Sequence, residues 1–253
     1  NVVRADSLTQ LGPSRPTLMY VNSPGNPSGR VLGVDHLRKV VDWARERGVI
    51  TILDTVSGLG AEEFSPEAWG IDVAIAGPQK CLSGVPGLAL VAVSEAAWAA
   101  MESVENPLRG SYLSLLDWKT TWIEQRRFPF TPSVADIYAL EATLQQALDE
   151  GMKAMAERHR RIAAACRAAV RALGLELWAA RDEIAAPGCT AVAVPDGTTA
   201  EAIIRTMRDR FGVMISGIGL LVVIYARYYM SPKDPVPRFF AFLMAFMGAM
   251  LGI

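Results

Sequence analysis

The sequence predicts an α/β fold: a mostly parallel sheet with helices packed on it, then a smaller α+β unit and an apolar helical tail. Three observations carry this expectation. Short apolar runs alternate with amphipathic stretches over the first hundred residues. Polar residues gather just after the apolar runs. Charge disappears near the C-terminal end, where residues 211–226 and 239–253 have none.

The elements follow in order. Residues 1–16 are polar and turn-rich, and Thr17–Val21 reads as a short buried strand. It runs into Asn22-Ser23-Pro24-Gly25-Asn26-Pro27-Ser28-Gly29, where proline and glycine forbid regular structure. Over 35–47, Leu37, Val40, Val41 and Ala44 fall on one side of a helix, with Gly48 as its C-cap. Val49–Leu53 is a second strand ending at Asp54, and Val73–Ala76 a third, followed directly by Gly77-Pro78-Gln79-Lys80. Leu88–Val93 is a fourth, after which Ser94 caps a helix over 95–101. Ser133 to about Gly174 reads as helix, broken near Gly151. Strands are expected at 175–178, 190–194 and 213–215, with a helix over 199–211 capped by Thr198 or Thr199. The division is then a large domain over 1–154, a small α+β domain over 155–217 and the tail over 218–253.

Composition bounds the function. The chain has 253 residues, 51% hydrophobic and 20% charged, which excludes a disordered or collagen-like protein. A formal net charge of −1 leaves no basic field to hold nucleic acid. Two histidines exclude a multi-histidine metal site, and no metal is expected. Three widely spaced cysteines fit a reducing, cytoplasmic setting. The start has neither signal-peptide character nor an initiator Met, so a fragment is expected. Arg158, Arg160, Arg161, Arg167 and Arg171 stud one helix and read as a solvated face. In the tail, two apolar blocks flank the aromatic and charged connector Arg227–Arg238. They look like membrane-helix pieces with interfacial anchors, each shorter than the ~20 residues of a full span.

In open α/β sheets, ligands bind at the carboxyl ends of the strands. That edge would hold Asn26, Asp54 and Lys80. A lysine in a partly desolvated turn can lose its proton and attack an aldehyde; alone, it is an exposed loop lysine. A carboxylate ending a buried strand needs a partner, and a protonated pyridine nitrogen would serve; alone, Asp54 is a cap or turn former. The Asn26 amide could bond a phenolate oxygen on the same ring; alone, it is part of a turn.

Together these residues resemble the fold-type I pyridoxal-phosphate enzymes. From about Asp54 to Ser216 the chain is similar to the class V aminotransferases. The matching motifs are Asp54-Thr55-Val56-Ser57, Gly77-Pro78-Gln79-Lys80-Cys81-Leu82, Pro86-Gly87-Leu88-Ala89 and Phe130-Thr131-Pro132-Ser133-Val134, with Asp54 and Lys80 26 residues apart. Within that group, Ser111–Trp118 and Phe128–Thr131 most resemble the pyridoxamine–pyruvate enzymes. The stretch Leu18–Gly29 resembles the class I aminotransferases instead, and the spacing of 28 from Asn26 to Asp54 suits that class.

The resemblance implies pyridoxal 5′-phosphate as cofactor. Lys80 would bind it covalently and then move the substrate proton. Asp54 would keep the ring nitrogen protonated. Val56 would pack on one ring face, Asn26 would contact the phenolic oxygen, and Gln79 the phosphate. Thr131 would reach a phosphate in the neighbouring subunit of a homodimer, or cap the helix that follows it. The substrates would be a small amino acid, or pyridoxamine, and a 2-oxo acid such as pyruvate or glyoxylate. The family's N-terminal phosphate loop and its C-terminal carboxylate-binding Arg have no counterparts here. After Ser216-Gly217 the resemblance stops, and Ile218–Leu243 resembles the large membrane subunit of multisubunit cation/proton antiporters. The alternative expectation is therefore an inert composite chain touching a membrane through 218–253.

Overall fold

The computed structural model describes residues 18–25, 28–218 and 221–225. Its first half is built on four strands: β1 (Leu18–Asn22), β2 (Ile50–Asp54), β3 (Val73–Ala76) and β4 (Leu90–Val93). They lie side by side in chain order, and β1, β2 and β3 run parallel. Helix α1 (Val34–Arg45) makes the β1–β2 crossover, and the short α2 (Pro66–Trp69) lies between β2 and β3. Parallel neighbours need such crossovers, because the chain must return to the starting edge. β4 reverses and pairs antiparallel with β3, so the mostly parallel sheet ends in an antiparallel edge.

The apolar stripe read from the sequence fixes how α1 docks. Val40, Trp43 and Ala44 pack with Val49, Met19 and Val21, while Leu37 and Val41 pack with Leu53, Ile71 and Ala74. Full burial of each large side chain contributes about 1.5–3 kcal/mol. The helix stops at Arg45, and Gly48, at φ +65°, donates its N–H to the Arg45 carbonyl. The other face of the sheet is barely covered at its margins, where Leu18, Tyr20 and Val91 are exposed.

Asp72 fastens three strands at their other end. Its Oδ2 accepts from the Thr51 N–H (2.9 Å) and hydroxyl (2.8 Å), and its Oδ1 accepts from the Ser94 hydroxyl (3.2 Å). Its own N–H donates to Thr51 Oγ1, and its carbonyl accepts from the Ser94 N–H.

After β4 come α3 (Glu95–Glu102), α4 (Leu115–Trp118) and a π-helical turn (Lys119–Glu124). Two long helices follow, α5 (Val134–Glu150) and α6 (Met152–Ala172), separated by Gly151 at φ +84°. Position 155, where a second domain was expected to begin, lies inside α6. The second sheet is antiparallel, in the order β5 (Cys189–Ala193), β7 (Leu221–Tyr225), β6 (Ser216–Ile218). Helix α7 (Ala200–Phe211) packs with it, and Ile203, Met207, Val170, Val192, Val213 and Ile215 form a core of their own. Two expected N-caps are present: Ser94 Oγ accepts from the Ala97 N–H, and Thr199 Oγ1 from the Ala202 N–H. The C-cap of α1 is Glu46 and not Gly48, because the helix ends at Arg45.

Four expectations are corrected. Residues 175–178 form no strand, only a single bridge between Leu177 and Val192. The strand expected at 213–215 lies at 216–218, because the Val213 N–H is used on the Met207 carbonyl at the end of α7. Leu221–Tyr225, read as part of a helical tail, is a strand between β5 and β6, and residues 226–253 lie outside the described residues. Arg167 is buried, not solvated: its Nε stands 3.3 Å from Asp182 Oδ1, which also pairs with Arg171.

The Asp72 tie yields a test. Asp72→Ala strands the buried Thr51 donors, and such losses cost about 2–3 kcal/mol. Urea unfolding should show a lower midpoint with an unchanged slope.

Candidate active site

The β1–β2 register sets Asn22 beside Asp54 and Tyr20 beside Ile52. Side chains alternate along a strand, so Tyr20, Asn22 and Asp54 share one face. Asp54 collects three donors there. Its Oδ2 accepts from the Tyr20 hydroxyl (2.6 Å) and the Asn22 amide (2.9 Å), and its Oδ1 from the Val56 N–H (3.0 Å). The carboxylate in turn holds the Tyr20 phenol above its ordinary pKa, chiefly through that hydrogen bond.

The turn carrying Lys80 begins at the end of β3, the strand next to Asp54. The Thr55 N–H donates to the Ile75 carbonyl (2.8 Å), which ties the two strand ends together. Within the turn, the Gly84 N–H reaches the Pro78 carbonyl (2.7 Å) and the Ser83 N–H the Lys80 carbonyl (3.0 Å). Leu82 anchors it by packing with Ala147 of α5 and Met155 of α6. Lys80 itself is half-buried. The Gln79 side chain folds over Gly77, so that a Cβ there would overlap its Oε1. That Oε1 is buried without a hydrogen-bond partner among the described residues. A buried acceptor without a partner calls for a group to meet it, and a half-turn about the last side-chain bond would present N–H donors in its place.

Asp54, Val56, Gln79 and Lys80 thus lie at the carboxyl edge of β2 and β3. Asn26 lies outside the described residues. Thr131 is exposed on the approach to α5, and no hydrogen bond among the described residues ties it to that edge. Nor is Thr131 the cap: the N-cap of α5 is Ser133.

The second sheet supplies groups that the sequence did not single out. Val31 N–H donates to the Ile184 carbonyl (2.9 Å), and Ala186 N–H to the Gly29 carbonyl (2.7 Å). Gly29, at φ +59°, lies so close to Cys189 that a Cβ would stand 3.0 Å from its Sγ. Burial pushes the Cys189 thiol up to about 11; the Lys80 and Arg167 charges oppose this and the Glu62 charge adds to it. Cys189 therefore lies within the fields of both Lys80 and Glu62. Burial likewise pushes Glu62 up to about 7, against the pull of Arg160. Tyr20 and Asn22 were legible in principle, since their period-2 spacing puts them on one strand face. Cys189 and Glu62 carried no local signal.

These residues fit a pyridine ring bearing an aldehyde and a phosphate: a carboxylate for the ring nitrogen, an amine for the aldehyde and an unsatisfied amide beside them. A family model described as aminotransferase class-V matches residues 2–232. The chain is 42% identical over 202 residues to pyridoxamine–pyruvate transaminase of Mesorhizobium japonicum, which covers 79% of this chain and 50% of that protein. It is 34% identical over 184 residues to L-aspartate–glyoxylate aminotransferase of Paracoccus denitrificans, covering 73% and 45%. The crystal structure of pyridoxamine–pyruvate aminotransferase from Mesorhizobium loti matches with a TM-score of 0.87 at 38% identity, over 98% of this chain and 62% of that one. The chain spans about half the length of the curated relatives it matches.

The family match runs through Asp54 and past Gly217, where the sequence reading had placed a change of class and an end of resemblance. No helix among the described residues is long and apolar enough to cross a membrane. The reading as an inert membrane composite finds no support.

Glu62 gives the site a pH signature. Its pKa is raised in the folded chain, so that chain holds an extra proton between about 4.5 and about 7. Stability therefore falls as pH rises through that window and levels off above it. Glu62→Gln should flatten this slope and be more stable than wild type at pH 8 by about 2 kcal/mol, read by urea unfolding at pH 5 and pH 8.

Proposed function

The chain belongs to the class-V aminotransferase family, and on that premise we propose that it carries a pyridoxal 5′-phosphate-dependent transamination site. It moves an amino group from a small amino acid, or from pyridoxamine, to a 2-oxo acid such as pyruvate or glyoxylate. The observation that supports this most is the pairing of Asp54, pinned at the end of β2, with the Lys80 turn at the end of the neighbouring β3.

When bound, the cofactor supplies an aldehyde that condenses with amines and a ring that accepts the electron pair released at the substrate Cα. The remaining roles fall to this chain. Lys80 Nζ would hold the aldehyde carbon until the substrate amine displaces it, and the freed amine would then carry the proton away from the substrate Cα and return it on the other side of the exchange. Asp54 would face the ring nitrogen and keep it protonated. Val56 would bear on one face of the ring. Asn26 would donate to the phenolic oxygen, and Gln79 to the phosphate once its amide is turned.

A homodimer completes the proposal, with Thr131 reaching the partner's phosphate. The exposure of Thr131 supports this, as does the uncovered apolar surface nearby, where Leu113 is 80% exposed and Tyr112 64%. The sparse, widely spaced Cys81, Cys166 and Cys189 suit a cytoplasmic setting.

Borohydride reduction with pyridoxal 5′-phosphate, followed by digestion and mass analysis, should place one adduct on the Lys80 peptide; scattered labelling would count against the site. Lys80→Ala should lose the adduct and all turnover with alanine. Asp54→Ala should keep the adduct and lose turnover by about 10²-fold or more, since a charge that stabilises the transition state is gone.

A further inference from the structure

We infer that Tyr20 is a positioning residue: its hydroxyl, with the Asn22 amide, occupies Oδ2 of Asp54 and leaves Oδ1 as the oxygen presented to the cofactor's ring nitrogen. The inference rests on the reading of Asp54 given above and goes beyond it. An ionised carboxylate has about two acceptor sites on each oxygen. Oδ2 takes two donors, at 2.6 and 2.9 Å, and is full. Among the described residues Oδ1 takes the Val56 N–H at 3.0 Å and no other donor, which leaves one site. The three donors come from β1 and from the turn after β2, so they fix both the rotation and the position of the carboxylate.

Packing does not account for Tyr20. The residue is 57% exposed on the barely covered sheet face, where a tyrosine commonly leaves its hydroxyl in water. Here the hydroxyl instead makes the shortest of the three bonds to Asp54. Its phenol is held protonated by the same carboxylate, so it remains a donor through the neutral range. A donor stabilises the charged carboxylate and lowers its basicity. Tyr20 thus sets how strongly Asp54 competes for a proton shared with the ring nitrogen.

The test uses Tyr20→Phe, which removes one oxygen and keeps the ring. In the chain without cofactor, carbon-13 labelling of aspartate carboxyls, assigned with Asp54→Asn, reads the hydrogen bonding of Asp54 at neutral pH. Its carboxyl resonance should move in the variant, because one of its three donors is gone. In the chain loaded with nitrogen-15 pyridoxal 5′-phosphate, the ring resonance should move from the pyridinium position toward neutral pyridine. Tyr20→His, which can still donate, should restore part of both shifts. An unmoved Asp54 resonance overturns the inference, and so does a moved one with an unmoved ring resonance. If the wild-type chain gives no adduct at Lys80, the functional reading falls on that ground, while the carboxyl resonance still reports the hold of Tyr20 separately.

Discussion

A half-buried carboxylate must be kept charged, and the candidate site is organised around how that is done. Removing an ionised group from water is costly unless donors replace the lost hydration. Asp54 finds them in the neighbouring strand and in the turn that follows it. The parallel register of β1 and β2 is therefore more than a packing detail. A shift of one residue would carry Tyr20 and Asn22 to the opposite face and leave the charge uncompensated. Helix α1, by clamping Met19 and Val21 against Val40 and Trp43, holds that register.

Asp72 solves the same electrostatic problem at the other end of the sheet, also with three donors. The two carboxylates differ in place. Asp72 precedes β3 and joins strands. Asp54 ends β2 on the carboxyl edge, beside the turn that carries Lys80, where open α/β sheets bind ligands. Chemistry therefore follows from the edge and not from the hydrogen-bond count.

Much of this was legible in the sequence. β1, β2 and β3 lie within a residue of their expected positions, because each is a short apolar run bounded by glycine, proline or polar residues. Ser94 and Thr199 cap as their position before a helical run implies. Asp54 and Lys80 stood out through spacing and the residues around them. The rest depended on contacts that no local pattern reports. An uncharged apolar run suits a buried strand as well as a helix, so Leu221–Tyr225 could not be told from a helical tail until its partners β5 and β6 were in place. Cys189 lies within the field of Lys80, and residues 29–31 pair with 184–186, although these segments are far apart in sequence. Arg167 looked solvated because its helix is studded with charge, yet tertiary packing buries it.

That pairing between 29–31 and 184–186 has a mechanical side. The link is made of backbone hydrogen bonds, reinforced by a glycine that lets Cys189 lie directly against the main chain. The three-stranded sheet is thereby latched to the segment that leads from β1 into α1. Gly188, just before β5, likewise lies close to Cys81 and to the Ser57 carbonyl, so a larger residue there would push against the turn that carries Lys80.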